Sequence, residues 1–275
     1  MQIDDKIEMR TNVTLIKCKF IVNAQNNAQI PLRNHSKIYG AIYNLLFEMD
    51  PLLSRKIHLS TDVRPWTYSY LKFERIQPKS EKRGFVNVKK GEKGYFFIKT
   101  IDPDIGSLIK SYALKNKHFR IDALNVFIEG LNVSIGNLQE IPEPLNTVTI
   151  RLDTPTFFYN ALENHLENFS VESFLNFQCE KFKRLGIVNL DPTELYPYLI
   201  LIQDYTHEST GYVTNKDNKN EIIPFKGRVG NITFKIGGNP LEKSIMWKIL
   251  YLSEYTGIGS RTTRGFGHNF IMSVA

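Results

Sequence analysis

Residues 239–267 read NPLEKSIMWKILYLSEYTGIGSRTTRGFG. Asn239 stands where a helix N-cap belongs and Pro240 in the first turn. Leu241, Ile245, Ile249 and Leu252 then recur on one side until Gly257 ends the pattern. From Gly257 to Gly267 the chain holds four glycines and two arginines, Arg261 and Arg264, and GFGHNFIMSV (265–274) reads as a strand. A dinucleotide fingerprint follows a strand and opens a helix, whereas this loop follows a helix and opens a strand. It also lacks the Lys-Ser/Thr ending of a phosphate-binding P-loop.

Working outward, TVTIRL (147–152) reads as a strand, SVESFLNFQCEKFKRLG (170–186) and TELYPYLILIQDY (193–205) as helical, and FKGRVGNITFKIGG (225–238) as strands with turns. The first half has the same order. TLIKCKFIV (14–22) is strand-like, and residues 35–50 switch to helical spacing. There Ile38, Ile42, Leu45, Leu46 and Met49 share a face and Asn34 is a candidate cap. A short helix follows Pro51. PWTYSYLKF (65–73) and GYFFIKT (94–100) read as a hairpin with a lysine-rich tip, DIGSLIKSYALKN (104–116) as a helix, and FRIDALNVFIEGLNV (119–133) as strand. Each half is a βαββαβ unit, so the expected fold is α+β with two tandem ferredoxin-like domains, 1–143 and 147–275. The two prolines of IPEPLN (141–146) mark the linker between them.

The chain has 275 residues, 42% of them hydrophobic, which is enough for a packed core. No run approaches the ~18 apolar residues of a membrane helix, and MQIDDKIEMR lacks a signal-peptide core, so a cytoplasmic protein with no membrane partner is expected. Cys18 and Cys179 read as buried thiols. No CxxC or histidine pair suggests a metal site, and no cofactor is implied. The formal charge is +7, and its excess lies in residues 1–146, where 22 Lys and Arg face 15 Asp and Glu, and in residues 216–275. That distribution suits a long polyanion better than a mononucleotide.

A helix C-cap at Gly257 and a tight turn would account for Gly257 and Gly259, but not for Gly265, Gly267 and the arginines. Glycine permits close backbone approach and exposes N–H donors, and arginines among such donors suit phosphate oxygens. The loop, its place between the last helix and last strand of a second ferredoxin-like unit, TPTFF (154–158), and IPLRNHSKIYGAIYNLL followed by HLSTDVRPWTYS together resemble the CRISPR-associated repeat endoribonucleases, over nearly the whole chain. In archaeal members a tyrosine on the first helix, a histidine after it and a basic residue before a T-Y-S strand form the active site. The resemblance places these at Tyr43, His58 and Arg64, ahead of Thr67, Tyr68 and Ser69. Where those members have lysine, this chain has Arg64.

The resemblance implies CRISPR repeat RNA as partner and metal-independent cleavage by 2′-hydroxyl attack, giving 2′,3′-cyclic phosphate and 5′-hydroxyl ends. The chemistry needs two proton transfers and stabilisation of charge on phosphorus. Histidine, with an ordinary pKa of about 6.5, suits either transfer, and arginine suits the phosphate. His35, just ahead of the same helix, is an alternative catalytic group. RNA contacts are expected from Gly257, Gly259, Arg261, Arg264, Gly265, Gly267 and His268, from Lys226 and Arg228 near Phe225, and from Lys89 and Lys90 beside Lys79, Lys82, Arg83 and Lys93. A non-catalytic repeat-binding subunit of a CRISPR interference complex, a homodimer, and a nucleotide-binding protein using the glycine loop are the alternatives the sequence leaves open.

Overall fold

The computed structural model describes residues 8–31, 34–59, 63–74, 85–160, 165–167, 169–214, 222–262 and 266–272. The first half contains strands β1 (Glu8–Met9), β2 (Thr14–Ala24) and β3 (Ala28–Pro31), helices α1 (His35–Met49) and α2 (Pro51–Leu59), strands β4 (Trp66–Tyr68), β5 (Lys72–Phe73), β6 (Phe85–Val88) and β7 (Lys93–Thr100), helix α3 (Pro103–Lys115), and strands β8 (His118–Ile121) and β9 (Leu124–Asn137). The second holds β10 (Thr147–Thr156), β11 (Phe158–Asn160), β12 (His165–Glu167), α4 (Val171–Arg184), β13 (Val188–Asn189), β14 (Leu199–Thr214), β15 (Ile222–Ile236), α5 (Pro240–Thr256) and β16 (Asn269–Met272).

Along β2, Cys18, Phe20 and Val22 point into the core while Lys17, Lys19 and Ile21 stand on the other face, the period-2 pattern of a half-covered sheet. The first sheet runs β4-β7-β2-β9-β8, with β5 also on β7, and its pairings are antiparallel. Ile38, Ile42, Leu45 and Leu46 of α1 and Ile105 and Ile109 of α3 cover its apolar face. The second sheet runs β14-β15-β10-β16, covered by Phe174 and Phe182 of α4 and Ile245 and Ile249 of α5. In both sheets the first and third strands of the unit are the inner pair, so the chain consists of two tandem ferredoxin-like βαββαβ units.

The sequence expectations need four corrections. TELYPYLILIQDY is not a helix: two short 3₁₀ turns (192–194 and 196–198) lead into β14, because Pro197 stops helical growth and the Leu-Ile-Leu-Ile run pairs with β15. The lysine-rich tip (75–84, with Lys79, Lys82 and Arg83) lies outside the described residues. The arms of the expected hairpin do pair, β4 and β5 with β7, but the stretch between them also forms β6, which pairs with β3. Asn34 precedes α1 but makes no side-chain cap. Its amide instead brackets Leu71, accepting from that N–H at 3.0 Å and donating to the carbonyl at 3.2 Å. Leu241 is 56% exposed, while the rest of the α5 stripe is buried.

Residues 141–146 form neither helix nor strand, and the Trp247 indole donates to the Pro142 carbonyl at 2.7 Å. Val13, Leu15 and Leu138 pack into the second core, and α5 lies against β7, β4 and β2. That double packing explains why Glu254, Tyr255 and Thr256 are all buried at its end.

Candidate active site

On α1 the spacing i, i+4, i+8 puts Tyr39, Tyr43 and Phe47 in one stripe beside the core face. The Tyr39 and Tyr43 rings stack at 6.4 Å, Tyr43 and Phe47 follow at 6.4 Å, and buried Trp66 of β4 also stacks with Tyr39 at 6.4 Å. Arg64, two residues before Trp66, donates from Nη1 to the Tyr39 hydroxyl at 3.1 Å. Tyr43 and Arg64, both half-buried, are thus brought together through Tyr39, a residue the sequence reading passed over. The signal was there in Y-x-x-x-Y on a helix with an arginine two residues before a buried tryptophan.

His58 lies near the end of α2, which packs on α1. His35 is the first residue of α1. The side chains of both fall outside the described residues. Thr67, Tyr68 and Ser69 are buried, and the Ser69 hydroxyl accepts from the Phe97 N–H at 2.9 Å, locking β4 to β7.

The glycine loop abuts this strand. A Cβ on Gly257 would stand 3.1 Å from the Thr67 hydroxyl and 2.7 Å from Thr262. Gly257, Gly259 and Gly267 have φ of +82°, +76° and +66°. A side chain at Gly259 would meet the Phe157 carbonyl at 2.3 Å, and one at Gly267 the Ile258 carbonyl at 1.8 Å. Several of the loop's donors are used within the protein: Gly257 N–H bonds Ser253, Ser260 N–H bonds Phe157 and Gly267 N–H bonds Pro155. From α4, Lys181 and Gln178 donate to the Gly257 carbonyl at 2.7 and 3.0 Å. Close packing therefore accounts for the absence of a side chain at 257, 259 and 267. Arg261 is exposed and stacks 4.5 Å over Phe225, which packs with Phe157 and Phe266. Arg264 and Gly265 lie outside the described residues.

His268, expected at the RNA surface, has no exposure at all. It sits between the two halves, its Nδ1 3.6 Å from Asp153, which also pairs with Lys72. Burial pulls the imidazole down to about 4, so it is neutral at pH 7. In the same seam Lys99 bonds Glu254 at 2.9 Å and the Asn269 carbonyl at 2.6 Å, with Lys17 3.3 Å from Glu254. Burial lowers Lys99 to about 8 against the pull of Glu254.

Elsewhere Lys226 pairs with Glu208 at 3.1 Å and Arg228 with Asp204 at 3.0 Å, on the β14–β15 hairpin. Exposed pairs of this kind are worth ~0–1 kcal/mol. Lys89 and Lys90 are exposed at the β6–β7 turn. Both cysteines are buried, and burial pushes their thiols up to about 11 and about 12. Among the described residues no group of three or more His, Cys, Asp or Glu is placed to hold a metal ion, and no helix is long and apolar enough to cross a membrane.

Comparison with known proteins bears on the family and the fold. The family described as CRISPR-associated protein Cas6, N-terminal, matches residues 29–132, and that described as CRISPR-associated endoribonuclease Cas6 matches residues 150–269. No curated protein matches the sequence. Among solved structures, a Cas6 (TTHB231) product complex superposes with TM-score 0.70 at 15% identity, covering 94% of this chain and all of the other. A Cas6-related protein from Pyrococcus furiosus gives 0.66 at 14%, covering 95% of this chain and all of the other. An RAMP protein binding different RNA substrates gives 0.66 at 14%, with 94% of this chain and all of the other covered. With the two halves matched in turn and the fold shared throughout, the chain belongs to the Cas6 family of CRISPR-associated endoribonucleases.

Proposed function

We propose that the protein binds CRISPR repeat RNA and cuts the precursor transcript without a metal ion, by attack of the 2′-hydroxyl on the adjacent phosphate. The O2′–P bond forms, the P–O5′ bond breaks, and the products end in a 2′,3′-cyclic phosphate and a 5′-hydroxyl. His58 and Tyr43 share the two proton transfers, one from the 2′-hydroxyl and one to the leaving 5′-oxygen. Arg64, through its guanidinium, neutralises the charge gathering on phosphorus. The observation that carries this reading is the joining of Arg64 to the α1 tyrosine stripe, 3.1 Å from Tyr39, beside a helix that bears His58. Arg261 on its Phe225 platform and Lys89 and Lys90 supply contacts to the RNA backbone.

The test incubates end-labelled repeat RNA with protein in excess EDTA, comparing wild type, His58→Ala and a substrate with a 2′-deoxy sugar at the cut. Cleavage that survives EDTA and disappears with either change, while binding persists, is expected. A wild type that binds the repeat and leaves it whole refutes the enzyme reading and makes the chain a repeat-binding subunit of an interference complex.

A further inference from the structure

We infer that Tyr39 is a positioning residue for cleavage, setting where Arg64 and Tyr43 stand. The inference rests on the reading above, in which those two residues act on RNA. Tyr39 is held against two rings, Trp66, which is 1% exposed, and Tyr43 one helical turn on. Its ring planes lie within 20° of both neighbours, so the phenolic oxygen has a fixed direction, and that oxygen accepts from Arg64 Nη1 at 3.1 Å. Trp66 sits in β4, whose pairing with Thr100 of β7 anchors the chain two residues after Arg64. The backbone end of Arg64 is therefore fixed by the sheet and the guanidinium end by Tyr39.

An arginine left to itself is a long side chain with several rotatable bonds. Held at Nη1 by Tyr39, the planar guanidinium has a set plane, the geometry that suits a phosphate. A lysine ammonium is a single point on a flexible stem and gains no such orientation. Tyr39 thus accounts for how arginine serves at position 64. The same phenol ring fixes Tyr43 through the stack, so one residue orients both groups.

The experiment measures single-turnover cleavage of repeat RNA at saturating protein, with repeat affinity and thermal melting read on the same preparations. Tyr39→Phe keeps the stack and removes only the hydroxyl. Its cleavage constant is expected to fall about 5–20-fold, in line with the cost of misplacing a group that contacts the reacting phosphate. Affinity and Tm should stay at wild-type values. Arg64→Ala should lower cleavage further, and Tyr39→Phe added to Arg64→Ala should change nothing more, because the tether has nothing left to hold. Wild-type cleavage by Tyr39→Phe, multiplicative effects in the double variant, or a loss confined to affinity each overturn the role of Tyr39 while leaving the site reading intact. Full activity in Arg64→Ala, or a wild type that does not cut, overturns both.

Discussion

Gly186 and Gly267 share a φ of +66°, yet a Cβ on Gly186 would meet nothing within 4 Å and one on Gly267 would stand 1.8 Å from the Ile258 carbonyl. The pair separates two costs that are usually confounded. Gly186→Ala should pay only for the left-handed backbone, about 1–2 kcal/mol. In Gly267→Ala the same cost applies, and the Ile258 contact must also open from 1.8 Å to beyond 3.0 Å. Both partners are backbone, pinned by Ile258 N–H to Gly267 O at 2.8 Å and Gly267 N–H to Pro155 O at 3.0 Å. Relief breaks one or both bonds at ~0.5–1.5 kcal/mol each, bringing the total to roughly 2–5 kcal/mol. At about 2–4 °C per kcal/mol, Tm should fall roughly 2–8 °C in Gly186→Ala and roughly 4–20 °C in Gly267→Ala. Calorimetry of the two variants beside wild type is the assay. Equal losses within about 0.5 kcal/mol would show that backbone handedness alone explains the glycine at 267, and the close-approach argument would be wrong.

Two further predictions concern charge. Burial draws Lys181 down to about 7, below the ~10.4 of an unfolded lysine, so between those values the unfolded chain holds more protons and stability rises with pH. In urea melts wild type should therefore gain on Lys181→Met by about 1–3 kcal/mol between pH 7 and pH 10, and a gap that does not change with pH would count against this assignment. Burial opposes ionisation of Asp153, but His268 and Lys72 outweigh it and hold the carboxyl well below the usual range. Its contribution is present above about pH 4 and fades as the pH drops further. Asp153→Asn should cost ~1.5–3 kcal/mol at pH 7 and flatten the acid limb of an unfolding titration, whereas parallel acid limbs would exclude Asp153 as its source.

Much of the fold could be read from local pattern. The alternation of β2 and the cap-to-glycine frame of α5 are written in neighbouring residues, and the structure adds the reciprocal bond from Glu242 to the Asn239 N–H at 2.6 Å. The β14 error shows where pattern stops. A run of Leu and Ile fits a buried helix or a strand equally well, and only pairing with β15 decides it. The buried position of His268 was hidden for a related reason, since it depends on the meeting of two sheets and not on its own neighbours. Tyr43 and Arg64 were picked out by resemblance, but the residue that joins them needed the helix and the strand side by side. Arg261 was legible as a basic loop residue, while its platform, Phe225, is distant in sequence and close only in the fold.

Helix α5 is closed at both ends, by the Asn239–Glu242 capping box and by Gly257, with 17 residues between. It therefore works as a ruler. One residue inserted in it would turn the entry to the glycine loop by about 100° and shift it by about 1.5 Å, taking Gly257 away from Thr67 and Lys181 together. Point substitutions along the helix can be absorbed one at a time, but a change in its length cannot. Exchange of segments between relatives should accordingly join outside Asn239–Gly257, with the helix and both its ends moved as one piece.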